Sequence, residues 1–322
     1  RQQGLMCRFR SATRSPLRFF VLAATLPMLG SGAAAHEYKS LDELLSGWGI
    51  DVAAAEIRVQ TLEPGLHVFF GAGGNILVSI GEQGVLMVDS QFPELIPKIR
   101  RRIVELGGRA IDFTINTHWH FDHADGNPLL GREGTWLIAH ENARRMMIGS
   151  HDIHFIGISY RQPAYPAEGL PVITYAERMS FHFNGHRIDL VHAGPAHTSG
   201  DTAVIFRDAN VVHMGDVFNA RYPFIDGYNG GELEGMIRFC RAVLAETDAG
   251  TVVVPGHGPV MDRAALEAFV DMLEVVGKRL QSLIDEGMSL EDVLAAKPTA
   301  DFDERFGNPE LFVTRAYESL VR

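Results

Sequence analysis

Beyond a polar leader, apolar residues come in short runs broken by glycine and proline. Residues 57–62, 66–70, 75–80 and 85–89 form four such runs, separated by Pro64-Gly65 and by the glycine-rich stretches 71–74 and 81–84. That punctuation predicts strands joined as hairpins. The period then changes: Leu95, Ile96, Ile99, Ile103 and Leu106 share one helical face between Pro93 and a stop at Gly107-Gly108. Residues 110–115 read as a buried strand. In the second half, 172–175, 178–183, 186–192, 202–206 and 211–214 read as strands, 233–247 as an amphipathic helix, 251–254 as a buried strand and 263–286 as a long helix. Two successive strand-rich halves, each followed by helix, predict an α/β (α+β) chain of two mixed sheets packed face to face with helices outside. Residues 288–322 read as added C-terminal helices, and no linker divides 36–322.

The strand at 110–115 runs into Thr117-His118-Trp119-His120-Phe121-Asp122-His123, which places three imidazoles and a carboxylate within six positions. A neutral imidazole is a ready metal ligand at neutral pH. In an extended segment, side chains 118, 120 and 122 project to one side, and His123 faces elsewhere. That is more ligand than one tetrahedral ion takes from so short a loop, and it predicts two neighbouring metals. Three later loops have the same character: His197 in Pro195–Asp201, Asp216 in His213-Met214-Gly215-Asp216, and His257 in Pro255-Gly256-His257-Gly258-Pro259. Each sits just past a β-run, where a rigid scaffold presents loop residues.

Taken together, these residues resemble the metallo-β-lactamase superfamily. Its H-x-H-x-D-H signature stands here as His118, His120, Asp122 and His123. The later motifs stand at His197, Asp216 and His257, with Asp89 ending an early strand where the family carries an aspartate. The resemblance spans about residues 57–287 and implies a four-layer αββα sandwich. It also implies a first metal on His118, His120 and His197 and a second on Asp122, His123 and His257, with Asp216 bridging. Two zinc ions are the implied cofactor, and iron or manganese also suits the donor set. The implied chemistry is attack of a metal-bridging hydroxide on a carbonyl or phosphoryl centre, with Asp122 orienting the nucleophile and supplying a proton to the leaving group.

Aspartate at 216 departs from the cysteine or serine common in the family's true lactamases and shifts weight toward esters, lactones and thioesters. Lactamases of the cysteine type carry a lysine three positions on. Here that position is Asn219, and Arg221 is the nearest cation, either a carboxylate partner or a solvated loop residue. Tyr222 is a candidate donor to a developing oxyanion, or a packing aromatic. His151 and His154 fall in 149–171, which reads as an irregular lid. His192 and His213 are candidates to support the ligands, or structural histidines. Asp201 either braces a ligand ring or caps a turn, Trp119 and Phe121 are expected to pack beneath the loop, and Met146 and Met147 read as core or as entrance residues.

Charge and composition narrow the function classes. Residues 1–35 carry Arg1, Arg8, Arg10, Arg14 and Arg18, an apolar run from 17 to about 29, and Ala33-Ala34-Ala35 before His36. This reads as a signal peptide with export to the periplasm or beyond and no lasting membrane association. The segment holds five of the 29 basic residues and none of the 40 acidic ones, so the remainder has a formal charge of −16. Such a balance disfavours nucleic acid as a partner and leaves a small molecule as the expected substrate. Of the two cysteines, Cys7 lies in that segment, and Cys240 alone forms no internal disulfide. The reading these features support is an exported dinuclear zinc hydrolase. Its rivals are a β-lactamase, a mononuclear iron sulfur dioxygenase, and a metal-dependent relay protein without turnover.

Overall fold

The computed structural model describes residues 37–322, so the signal-peptide reading of 1–35 concerns a segment outside the described residues. Strand β1 (Glu37–Lys39) leads into helix α1 (Leu41–Gly47). Ser40 starts that helix through a reciprocal cap: its hydroxyl accepts from Glu43 N, and the Glu43 carboxylate accepts from Ser40 N. The four hairpin runs are β2 (Arg58–Glu63), β3 (Leu66–Phe70), β4 (Ile76–Gly81) and β5 (Gly84–Val88), paired antiparallel in sequence order. Helix α2 (Ile96–Glu105) then crosses over to β6 (Ile111–Ile115), parallel to β5. Short helices α3 (Phe121–Ala124) and α4 (Asn127–Arg132) precede β7 (Trp136–His140) and α5 (Glu141–Ile148).

The segment expected to be an irregular lid is instead an ordered antiparallel hairpin, β8 (His151–His154) and β9 (Ile158–Gln162). It forms a small third sheet with β1, which pairs parallel to β9. Next comes β10 (Ile173–Tyr175), grouped with the second half by sequence. It pairs parallel to β7 and completes the first sheet, in the order β10-β7-β6-β5-β4-β3-β2. The second sheet runs from β11 (Arg178–Phe183) through β12 (His186–Val191), β13 (Ala203–Phe206), β14 (Val211–His213) and β15 (Val252–Val254) to β16 (Met261–Asp262). Its one parallel pair, β14 with β15, is bridged by α6 (Leu233–Leu244).

Strand alternation sorts the side chains into layers. Leu66, Val68, Leu77, Leu86 and Val88 of the first sheet meet Ile188, Leu190, Val204 and Phe206 of the second in a core between the sheets. On the outer face of the first sheet, Phe69, Ile76, Val78 and Met87 pack with Ile96, Ile99 and Ile103 of α2. On the outer face of the second, Ile205, Val212 and Val253 pack with α6 and with α7 (Arg263–Asp285). The result is a four-layer αββα sandwich. Helices α8 (Leu290–Ala296), α9 (Asp303–Phe306) and α10 (Glu310–Leu320) are more than an appendage, because Val293, Phe306, Phe312 and Val313 are buried in that last core. None of the described helices is long and apolar enough to cross a membrane.

Candidate metal centre

Strands of both sheets end at one rim of the sandwich, and the polar side chains gather there. Past β5, Asp89 is fully buried with φ 69°, a left-handed conformation that a non-glycine residue keeps only when its surroundings hold it. Its carboxylate is the holding group: it accepts from Thr117 N at 2.7 Å, from Thr117 Oγ1 at 2.8 Å and from His123 Nδ1 at 2.8 Å. Asp89 thus ties the loop after β5 to the histidine loop after β6. His197 comes from the β12–β13 loop, Asp216 from the turn after β14 and His257 from the turn after β15. Across the rim, Asn75 donates from Nδ2 to Pro255 O and Gly258 O, each at 2.9 Å, and so clamps the His257 loop to the glycine loop 71–74. A Cβ at Gly74 would collide with the His123 ring, which explains the bare backbone there.

Three ligand trios form: His118, His120 and His197; His118, His123 and Asp216; Asp122, His123 and His257. Within each trio the donor atoms lie within 4.8 Å of one another. Hydrogen bonds on the outer ring nitrogens set the direction of the lone pairs. His197 Nδ1 donates to the carbonyl of Phe224 at 2.7 Å, so its Nε2 carries a lone pair into the site. Thr117 Oγ1 spends its proton on Asp89, so at 3.0 Å it accepts from His118 Nδ1, again leaving Nε2 inward. His123 donates through Nδ1 to Asp89. His120 is turned the other way: Nε2 meets Asp226 Oδ2 at 2.9 Å, and Nδ1 faces the centre.

Four ring nitrogens point inward, and His118 Nε2 is buried without a hydrogen-bond partner. His120 Nδ1 and His197 Nε2 lie 3.0 Å apart, and His123 Nε2 and His257 Nε2 lie 3.3 Å apart. Ring nitrogens that face each other this closely need a proton or a metal cation between them, and in the buried His120–His197 pair burial disfavours the proton on His197. Carboxylate and imidazole donors in these numbers fit hard or borderline divalent ions.

Charge is unequal across the centre. Burial and then the neighbouring imidazoles hold His118 well below the usual histidine range, and burial together with His120 pulls His197 down to about 4. For His123, burial acts downward too, but the carboxylates of Asp122, Asp216 and Asp89 outweigh it and hold the ring well above the usual value. His257 is likewise raised against burial by Asp216 and Asp122. Asp216 bridges the halves, with Oδ1 3.2 Å from His123 Nε2 and 3.5 Å from His257 Nε2, and Oδ2 3.9 Å from His197 Nε2. Asp122 Oδ2 stands 3.1 Å from His257 Nε2 at the solvent side.

The remaining sequence candidates lie elsewhere. Tyr222, a candidate oxyanion donor, donates instead to Asp303 Oδ1 at 2.8 Å and stacks on Phe312, so its hydroxyl is engaged in packing α9 and α10. Asn219 uses Oδ1 to accept from His257 N at 2.8 Å; it positions a ligand loop and does not line the cleft. Arg221 is exposed and does not line the cleft that opens onto Asp122, Asp216 and His257. Asp201 caps the His197 turn by accepting from Thr198 N and Oγ1. His192 bonds Asp201 O, and His213 bonds Asn75 O. Trp119 and Phe121 are buried, as is Met147, and Met146 packs beside it. His154 Nδ1 pairs with Ser159 Oγ on the hairpin, and the His151 ring lies edge-on to Trp119. Sequence reading missed Asp226, Asn75 and Gln91, whose side chain ties the glycine loop by donating to Gly74 O and accepting from Gly73 N. Asp226 is an ordinary loop acid by pattern, and only folding brings it to His120, 106 residues away.

Residues 71–261, more than half the chain, match the family model of the metallo-β-lactamase superfamily. The chain belongs to that superfamily. Among solved structures, a metallo-β-lactamase from Pontibacter korlensis is similar at 17% identity and TM-score 0.57, over 68% of this chain and 99% of that one. The DIM-1 metallo-β-lactamase is similar at 18% identity and TM-score 0.55, over 68% of this chain and 97% of that one. TMB-1 is similar at 17% identity and TM-score 0.54, over the same shares. At these identities the likeness is one of fold.

Proposed function

We propose that the protein is an exported dinuclear zinc hydrolase acting on a small ester, lactone, thioester or amide. The observation that carries this reading is the division of the site into two trios joined by Asp216, with the inward ring nitrogens already oriented. Ions bound there would supply an activated water at neutral pH and polarise a substrate carbonyl. The chain's own groups do the rest. Asp216 holds the two halves at a fixed separation. Asp122, between His257 and the solvent side, is placed to orient the nucleophile and to pass a proton to the leaving group. Thr117, Asp89 and Asp226 lock the rings so that little reorganisation accompanies reaction.

The test is a hydrolysis panel of lactams, lactones, thioesters and a phosphodiester on protein of measured metal content. Two zinc ions per chain with turnover of a carbonyl substrate supports the proposal. Protein that holds no transition metal tightly overturns it. β-Lactam hydrolysis is the second reading, favoured by the lactamase structures of similar fold. Against it stands a cleft whose lining includes no lysine or arginine among the described residues. A chromogenic cephalosporin with excess zinc decides between them. The sulfur-dioxygenase alternative uses one iron and leaves the Asp122–His257 pair without a role, and the relay alternative predicts an occupied site with no turnover.

A further inference from the structure

Beside the metal centre lies a cleft of about 240 Å3 whose walls the ligand chemistry does not explain. Its floor is His120, Asp122, Asp216 and His257. Its walls are Leu45 and Trp48 from α1 and the turn after it, Ile153 and Phe155 from the hairpin, Phe224, and Leu311 of α10. Among the described residues that line it, the only polar side-chain groups are those of the four ligand-site residues and the indole N–H of Trp48. Trp48 stands 47% exposed at the mouth with its ring edge-on to Phe155 at 5.0 Å. Phe155 stacks on Phe224 at 5.4 Å, and Phe224 lies against the ligand rings of His197 at 5.7 Å and His120 at 6.3 Å. An aromatic path therefore runs from solvent to the metal-binding rings. Leu45, Trp48 and Leu311 fall outside residues 71–261, so much of this wall comes from segments beyond the shared family region.

We propose that this cleft selects an uncharged substrate whose scissile carbonyl is joined to an apolar alkyl or aryl group, seated against Trp48, Phe155 and Phe224. The chemistry at both ends of the cleft favours that division. Ions held at the floor would offer coordination to one polar head, and the walls offer apolar surface with a single indole N–H at the exposed Trp48, so a charged group placed against them loses water without compensation. A carboxylate next to the scissile bond finds no lysine or arginine in the lining and meets Asp122 and Asp216. This proposal rests on the metallohydrolase reading for its reaction, but ligand binding tests it without turnover.

The experiment is calorimetry of the zinc-loaded protein with a set of hydroxamic acids, which bind metal through the same head group. The set is acetohydroxamate, butano-, hexano- and octanohydroxamate, and the monohydroxamate of succinic acid. Affinity is expected to climb roughly fourfold for each methylene buried, with the succinyl compound no tighter than acetohydroxamate. Trp48→Ala and Phe155→Ala are each expected to flatten the climb while leaving acetohydroxamate affinity unchanged, and two independent variants guard against one failing to fold. A flat series, or a preference for the succinyl compound, overturns the proposal. If no hydroxamate binds, the metallohydrolase reading falls and takes the proposal with it. A graded series without turnover of the corresponding esters keeps the cleft assignment and overturns the hydrolase reading alone.

Discussion

The two halves of the metal centre share a loop yet differ in kind. The trio of His118, His120 and His197 is buried throughout, and each ring is braced from behind by a hydroxyl, a carboxylate or a carbonyl. The trio of Asp122, His123 and His257 opens toward the cleft, where His257 keeps 41% of its side chain exposed. Burial holds His118 and His197 below the usual histidine range, whereas nearby carboxylates hold His123 and His257 above it. The first half is thus prepared to hold an ion firmly. The second competes with protons for an ion, and it faces the cleft.

The largest effect expected of a single change comes from the buried half. His197→Ala should remove the metal of the first trio and cut hydrolysis on the order of a thousandfold, the loss of several kcal/mol of transition-state stabilisation. His257→Ala should remove only the outer metal. Metal analysis of both variants checks the contrast, and equal losses would erase it. Asp226→Asn comes next. It should weaken the first site roughly 10- to 100-fold, as expected for a lost ring brace, and leave the second unchanged in a chelator-competition titration.

Acid separates the halves without mutation. A protonated imidazole cannot ligate, and His123 and His257 have values raised above 6.5, so the second site should lose affinity as pH falls through that region, roughly tenfold per unit for each proton displaced. His197, near 4, and His118, lower than its usual range, stay neutral over the same span. Metal stoichiometry measured from pH 7 to 5 should therefore fall from two toward one, and simultaneous loss of both ions would contradict the contrast. The smallest effect is expected of Tyr222→Phe. Losing the bond to Asp303 should cost about 1 kcal/mol of stability and leave the turnover rate as it was, measured by thermal melting beside the ester assay.

Strand runs such as 66–70 and the helix over 263–286 were legible because their apolar spacing is set by residues next to each other in the chain. The β8–β9 hairpin was not. His151, Asp152, His154 and Arg161 blur the alternation there, and the pairing with β1 at residues 37–39 joins distant segments. Nor was the place of β10, since three residues carry no information about which edge they join. The same divide runs through the site. The ligands announce themselves through His-x-His-x-Asp-His and through glycine-flanked loops at strand ends. Asp226, Asn75 and the orientation of His120 do not, because each depends on a partner 100 or more residues away.

Local order along the chain was therefore enough to single out the candidate donor residues and to predict the two-sheet architecture. Donor type is a property of single residues, and β-periodicity a property of neighbours. Folding supplied what those properties leave open: which ring nitrogen faces inward, which half of the centre is dry, and what lines the way in. Trp48, Phe155 and Leu311 are unremarkable apolar residues in three separate segments. They become a wall beside Asp122 only when α1, the hairpin and α10 close on the same rim, because burial and contact are set by the whole packing and not by any stretch of it.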